Sequence, residues 1–221
     1  AGYARVYDTL ELESNLDAAD VIIRGVLEQI PVDQPFGSWE LNRAIGQQLA
    51  RQFPGRGILQ AAAAKDVPVY VPAFTDSELG LDLFVYDFLR KKAGEAPVRF
   101  DVLRDLDDYL NRCMGSERMG IFTIGGGAPR NWAQQVGPLA ELAHRRTGGQ
   151  LGGLIRFQYG VRICPEPVHW GGLSGCTYSE GVSWGKFVPP AEGGRYAEVY
   201  SDATIAWPII VRGVLERLGR V

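Results

Sequence analysis

The sequence predicts an α/β fold, a doubly wound, mainly parallel sheet with helices on both faces. Two observations carry this. Short, nearly continuous apolar runs of the kind that suit strands buried on both faces recur along the chain, and stretches of helical periodicity alternate with them. Such alternation is how a parallel sheet is built, and its ligands collect beyond the carboxyl ends of the strands.

In chain order, a first helix is expected over 18–30, where Val21, Ile22, Val26 and Leu27 recur at helical spacing and Pro31 ends the run. Ser38, a good N-cap residue followed by Glu40 and Leu41, opens a second that Pro54 and Gly55 stop after residue 53. Residues 58–65, with four alanines, form a third. The period then changes: Val67, Val69, Tyr70 and Val71 predict a strand over 66–74. Further strands are expected at 119–124, 151–159 and 195–200, the first two of these preceded by helical patterns over 100–113 and 131–146.

With 221 residues, 46% hydrophobic and 22% charged, the composition is that of a soluble globular domain with a sizeable core. A net charge of -3 supplies no basic field for nucleic acid. Three cysteines, Cys113, Cys164 and Cys176, are an odd number in a chain too large to need disulfide staples, which favours reduced thiols and a cytoplasmic setting. The N-terminus, Ala-Gly-Tyr, has no signal-peptide pattern and no initiator methionine, so the chain reads as processed or as a fragment. The apolar run at 205–211 is too short to span a bilayer, and no membrane association is expected.

The expected strand ends hold unusual residues. Gly125-Gly126-Gly127 lets a backbone approach a ligand closely, and the helix opening near Pro129 offers free N–H groups to a phosphate; a tight turn would use the same glycines. Asp76 and Asp202 stand where N-capping is the commoner role and where a carboxylate can also accept from ribose hydroxyls. His169 with Cys164, Cys176 and Glu166 matches no zinc spacing, so no metal is expected. His144, beside Arg145 and Arg146, suits a helix C-terminus.

The segment with the most specific chemistry is Glu180-Gly-Val-Ser-Trp-Gly-Lys186. A lysine beside the flat apolar Trp184 and the unhindered Gly185 can be partly desolvated, which lowers its pKa and makes it a nucleophile, while Glu180 opposes that shift and can hold a cationic substrate. A surface lysine laying its stem on a ring is the blander alternative.

This heptapeptide, with the blocks at 69–80, 121–127 and 199–208, resembles the deoxyhypusine synthase family in order and spacing. The resemblance implies a Rossmann-like fold and a single domain over 1–221 that corresponds to the later part of a typical member, so that half the cofactor site lies elsewhere. It also implies that Lys186 is the imine-forming nucleophile, that Trp184 packs along the polyamine and that Glu180 binds a substrate amine. Asp76, Gly126, Gly127, Asp202 and Ala203 would line NAD. The activity implied is NAD-dependent transfer of the aminobutyl group of spermidine to a protein lysine, as in hypusine biosynthesis, by a homotetramer with sites at subunit interfaces. Homospermidine synthase-like transfer to a free diamine, a non-catalytic NAD-binding partner subunit, and an unrelated lysine Schiff-base enzyme without NAD are the alternatives. The chain departs from the family pattern at three places. Leu81 precedes Asp82 where an aspartate is usual, the loop around Trp170 and Leu173 lacks its aspartates, and Asn131 stands where a histidine is expected.

Overall fold

The computed structural model describes residues 2–220. The chain divides into two compact units, one ending at Asp107 and one beginning at Asp108.

The first unit opens with a hairpin that the sequence does not foretell, β1 (Tyr3–Val6) antiparallel to β2 (Thr9–Leu12), turned at Tyr7 with φ 55°. No glycine marks that turn, so the usual hairpin signal is missing. Helices α1 (Glu13–Leu27), α2 (Ser38–Gln52), α3 (Ile58–Ala64) and α4 (Glu78–Lys92) follow. Their apolar faces, through Val26, Leu27, Leu41, Ile45 and Leu83, close on Phe36 and Phe74 as one core. Phe74 stacks on Phe100 with ring centroids 4.0 Å apart.

Three local expectations are corrected in this unit. Residues 66–74 form no strand. Pro68 and Pro72 interrupt the run and have no N–H to give a ladder, and the backbone groups between them are met by side chains instead. Asn42 Nδ2 donates to Val69 O at 2.9 Å, and Val71 N donates to Ser38 Oγ at 2.7 Å. Ser38 is therefore not the cap of α2. That position is Gly37, whose N–H bonds Glu40 Oε2 at 2.7 Å, while the fully buried Ser38 hydroxyl donates to Asp105 Oδ2 at 2.5 Å. Likewise α4 is capped by Ser77, which accepts from Gly80 N at 3.1 Å, and not by Asp76.

Helix α5 (Leu103–Met114) runs across the division. The second unit continues with β3 (Met119–Ile124), α6 (Ala128–Gln134), α7 (Val136–Arg146), β4 (Phe157–Ile163), α8 (Tyr178–Ser183), β5 (Arg195–Val199) and α9 (Ala203–Arg217). The sheet is parallel throughout, in the order β3-β4-β5, with Ile121 opposite Gly160 and Val161 opposite Ala197. Side chains alternate across a strand. Met119 and Ile121 of β3 accordingly enter a core with Val136 and Ala140 of α7, Tyr178 of α8 and Phe187, whereas Phe122 points the other way and meets Trp207 of α9 at 4.9 Å. Helices thus flank the sheet, and the α/β class stands.

β4 starts later than the expected 151–159. Gly152, at φ 79°, lies so close to α7 that a Cβ there would stand 2.2 Å from Ala140 O, so this stretch packs on the helix before the strand begins. The helical pattern over 131–146 is two helices, α6 and α7, meeting at Gln135. Among the described residues no helix is long and apolar enough to cross a membrane.

Candidate active site around Lys186

In a parallel sheet every strand ends at the same edge. Gly125 to Gly127 follow β3, and Asp202 and Ala203 follow β5, so topology brings these residues to one side of the second unit. The loop after β4 returns as residues 173–177 and leads into α8.

That loop is clamped by two buried arginines. Arg162 of β4, 1% exposed, donates through Nη1 to Ser174 O at 2.6 Å and to Cys176 O at 2.9 Å, and its Nη2 pairs with Glu198 Oε2 of β5 at 2.7 Å. Arg130 of α6 donates to the same Cys176 O at 2.8 Å and lies over the Tyr178 ring at 5.7 Å. Burial first, then the neighbouring Arg162, hold the Arg130 pKa below its ordinary value. The loop presses on the glycine triplet: a Cβ on Gly126 would stand 2.4 Å from Ser174 Cα. Gly125 and Gly127 have φ of 77° and 83°, and open space lies where their Cβ atoms would be.

Thr177 caps α8 by accepting from Glu180 N at 3.1 Å, and Gly185, at φ 70°, ends the helix and turns the chain inward. The next backbone is then pinned beside β4, with Phe157 N donating to Lys186 O at 3.0 Å and Phe187 entering the core. This places the Lys186 side chain inside, 7% exposed, where its Nζ donates to Asn131 Oδ1 at 2.9 Å. Burial lowers the Lys186 pKa and Arg130 adds to the effect, while Cys176 and Glu180 oppose it. Trp184, by contrast, is 64% exposed, so the enclosure of Lys186 comes from its backbone position and not from the indole.

Lys186, Glu180 and Trp184 line one cavity of about 290 Å³, together with Arg130, Asn131 and Gln134. The three residues expected from the sequence to act on the amine are therefore brought together, and three more on α6 join them. Arg130 and Gln134 were not foreseen, although their spacing of four on a helix places them on one face. Cys176 also lines the cavity; its thiol pKa is raised, by burial first and by Glu180 next.

A second cavity, of about 310 Å³, lies at the carboxyl end of β3 and is lined by Thr123, Ile124, Gly126 and Arg130 among others. Asp202 caps α9, its Oδ1 accepting from Thr204 N at 2.8 Å and Thr204 Oγ1 at 2.6 Å, which lowers its pKa. Asp76 is exposed and belongs to the first unit. Ser174 Oγ donates to Glu166, and no group of three or more His, Cys, Asp or Glu among the described residues is placed to hold a metal ion.

The family description "Deoxyhypusine synthase" matches residues 1–214. The chain is 32% identical over 217 residues to the probable deoxyhypusine synthase 2 of Methanosarcina acetivorans, covering 98% of this chain and 58% of that protein. It is 30% identical to the probable deoxyhypusine synthase 1 of Archaeoglobus fulgidus, covering 97% and 62%. The chain thus spans only about three fifths of these relatives' length. Among solved structures, a crystal structure assigned as a deoxyhypusine synthase from Entamoeba histolytica has the same fold, with a TM-score of 0.55 at 16% identity over 90% of this chain and 54% of that one. With nearly its whole length matched by the family description, the chain belongs to the deoxyhypusine synthase family, a family of transferases.

Proposed function

We propose that this chain is an NAD-dependent transferase that moves the aminobutyl group of spermidine through an imine on Lys186 to an acceptor amine, a protein lysine in the family reading. The observation that carries the proposal is the buried Lys186 amine, shifted toward its neutral form and sharing a cavity with Glu180 and Trp184.

The residues fit NAD. Space stands open at Gly125 and Gly127, a cavity continues from the end of β3, and Asp202 keeps acceptor capacity beyond its capping bonds for a ribose hydroxyl. Gly126, Gly127, Asp202 and Ala203 would hold the cofactor in this unit; Asp76, of the first unit, is proposed as an NAD-lining residue by the family resemblance. When bound, NAD supplies the hydride acceptor that oxidises the amine and later the donor that reduces the product. Lys186 does the rest of the covalent work. Its neutral Nζ attacks the oxidised carbon and takes over the C=N bond, and a proton passes to the departing amine. The acceptor amine then displaces Lys186 by the reverse sequence. Asn131 holds Nζ in place, Glu180 accepts from a substrate ammonium, and Trp184 covers an apolar stretch of substrate and sheds water.

Assembly as a homotetramer is part of the proposal. Leu81, Phe84, Val85 and Phe88 form an exposed apolar stripe on α4, of the kind that marks an interface. The three free thiols suit a reducing, cytoplasmic setting.

The test is to incubate the protein with NAD and spermidine, reduce with borohydride, and search by peptide mass spectrometry for an aminobutyl adduct. An adduct on Lys186 that requires NAD and is lost in Lys186→Arg is expected. No Lys186 adduct from spermidine or from putrescine would overturn the reading, and product analysis with a protein lysine or putrescine as acceptor separates the two family activities.

A further inference from the structure

The cavity beside Lys186 offers a polyamine one negative charge to hold. Glu180, which is exposed to solvent, is the one carboxylate among the lining residues, whereas Arg130 and Lys186 put two basic groups around the same space. The field of Arg130 reaches the Lys186 amine, whose pKa it helps to lower. Of the other lining side chains, Asn131 is engaged by Lys186 Nζ at 2.9 Å, and Pro138, Leu173 and Trp184 are apolar. Leu173 and Trp184 are 55% and 64% exposed, so their hydrocarbon surfaces are presented to whatever enters.

Spermidine has two arms, each ending in a primary amine that is ammonium at neutral pH. One of these can pair with Glu180 in a charge-assisted hydrogen bond. The other would give up its water against Leu173 and Pro138 with no acceptor in return, and would meet the positive field of Arg130. If it extends into water instead, the protein gains nothing from it. The Trp184 indole attracts a cation only weakly at so exposed a place. An alkyl end carries no such cost, because it leaves water for an apolar wall.

We infer that the Lys186 cavity recognises a single terminal ammonium, at Glu180, and takes the rest of the donor as an apolar chain, with Leu173 setting that selectivity. The held end belongs to the arm that stays on Lys186. A contact kept from imine formation to attack by the acceptor holds the intermediate in register, whereas one made to the departing arm is lost at the first step. The substrate class is then putrescine bearing an alkyl arm on one nitrogen, and spermidine is the member of that class whose arm carries an extra, unread amine. This deepens the lysine-transferase reading and rests on it for the role of Lys186, although selectivity in binding needs no turnover.

The experiment is calorimetric titration of the whole chain, without NAD and at about 0.15 M salt to screen long-range attraction. Three ligands are compared: spermidine, N-propylputrescine, which lacks the amine ending the aminopropyl arm, and N-propylbutylamine, which lacks both terminal amines. Loss of the first amine is expected to change Kd by less than about fivefold, and loss of the second to weaken binding by more than about tenfold, a step that disappears in Glu180→Gln. Leu173→Asp, a change on an exposed side chain checked by its melting temperature, is expected to create a preference of about tenfold for spermidine over N-propylputrescine. Wild-type binding of spermidine more than about fivefold tighter than N-propylputrescine overturns the inference. So does a selectivity unchanged in Leu173→Asp, a second step that survives in Glu180→Gln, or a chain that binds neither amine. Matched binding with no Lys186 adduct from either amine leaves the selectivity standing and removes the transferase reading; a Lys186 adduct that spermidine gives and N-propylputrescine does not does the reverse.

Discussion

Lys186 Nζ and Asn131 Oδ1 are 2.9 Å apart, so the amine at the centre of the candidate site leans on an acceptor that carries no charge and does not titrate. A carboxylate there would have held the lysine as ammonium; the amide orients Nζ and leaves burial to set its protonation.

The acylation rate of Lys186 should therefore rise with pH and level off below the 10.5 of an ordinary lysine. Asn131→Asp should displace that curve to higher pH and cut the rate near pH 8, by about tenfold if the midpoint moves one pH unit. Peptide mass spectrometry after brief exposure to an amine-acylating reagent across a pH series reads both curves. An Asn131→Asp curve that coincides with wild type would remove the electrostatic account.

The lowered Lys186 pKa also has a stability consequence. An unfolded chain binds the Lys186 proton more readily than the folded one, so stability rises with pH between the folded and unfolded pKa values. The penalty is full below the folded value and vanishes above about 10.5. Lys186→Met should then melt higher than wild type near neutral pH, with the gain shrinking as the pH approaches 10. Calorimetric scans at several pH values check the sign; a gain that grows with pH contradicts it.

Arg162→Met should be severely destabilising, by about 3–5 kcal/mol, because it leaves Glu198 without its guanidinium partner and Ser174 O without its guanidinium donor, with Arg130 alone still holding Cys176 O. Urea unfolding measures this. A loss under about 1 kcal/mol would mean that the loop before α8 is held by something else.

Gly181→Ala should cost about 1–3 kcal/mol, since the new Cβ would stand 2.6 Å from the Phe187 ring, itself wedged between Tyr178 and Tyr196. The Phe187 backbone adjoins Lys186, so altered acylation of Lys186 should accompany the lost stability. Unchanged unfolding would show that the ring can yield.

Asp202→Asn separates capping from cofactor binding. Asparagine caps a helix as well as aspartate, so the melting temperature should hold, while NAD affinity should drop by about tenfold if the carboxylate accepts from a ribose hydroxyl. Fluorescence titration with NAD reads the second effect, and full affinity would leave Asp202 as a cap alone.

The parts legible in the sequence were those with an uninterrupted local signal. Strand 119–124 has no proline, and its glycine, Gly120, stands next to its start, leaving the run from Ile121 to Ile124 intact; Glu180, Trp184 and Lys186 lie within two turns of chain, so spacing alone suggested their company. Residues 66–74 have the apolar content of a strand, while Pro68 and Pro72 lack the N–H groups that a ladder needs. The hydroxyl of Ser38 and the amide of Asn42, far away in sequence, take up the backbone groups that a neighbouring strand would have met. Arg130 and Gln134 were illegible for a related reason. A buried arginine on a short helix looks like any solvated one until the loop that covers it is in place.

The residues lining the Lys186 cavity all fall between Arg130 and Lys186 in the chain. Such a site is inherited as one passage of text. Insertions and deletions in the hairpin or in the helices that precede Asp108 leave its spacing untouched, whereas lengthening the loop from 173 to 177 by one residue would shift Glu180 and Lys186 together against α6. Drift in what this chain acts on is therefore expected to be written in that loop and on that helix face, and relatives with other substrates should differ there first.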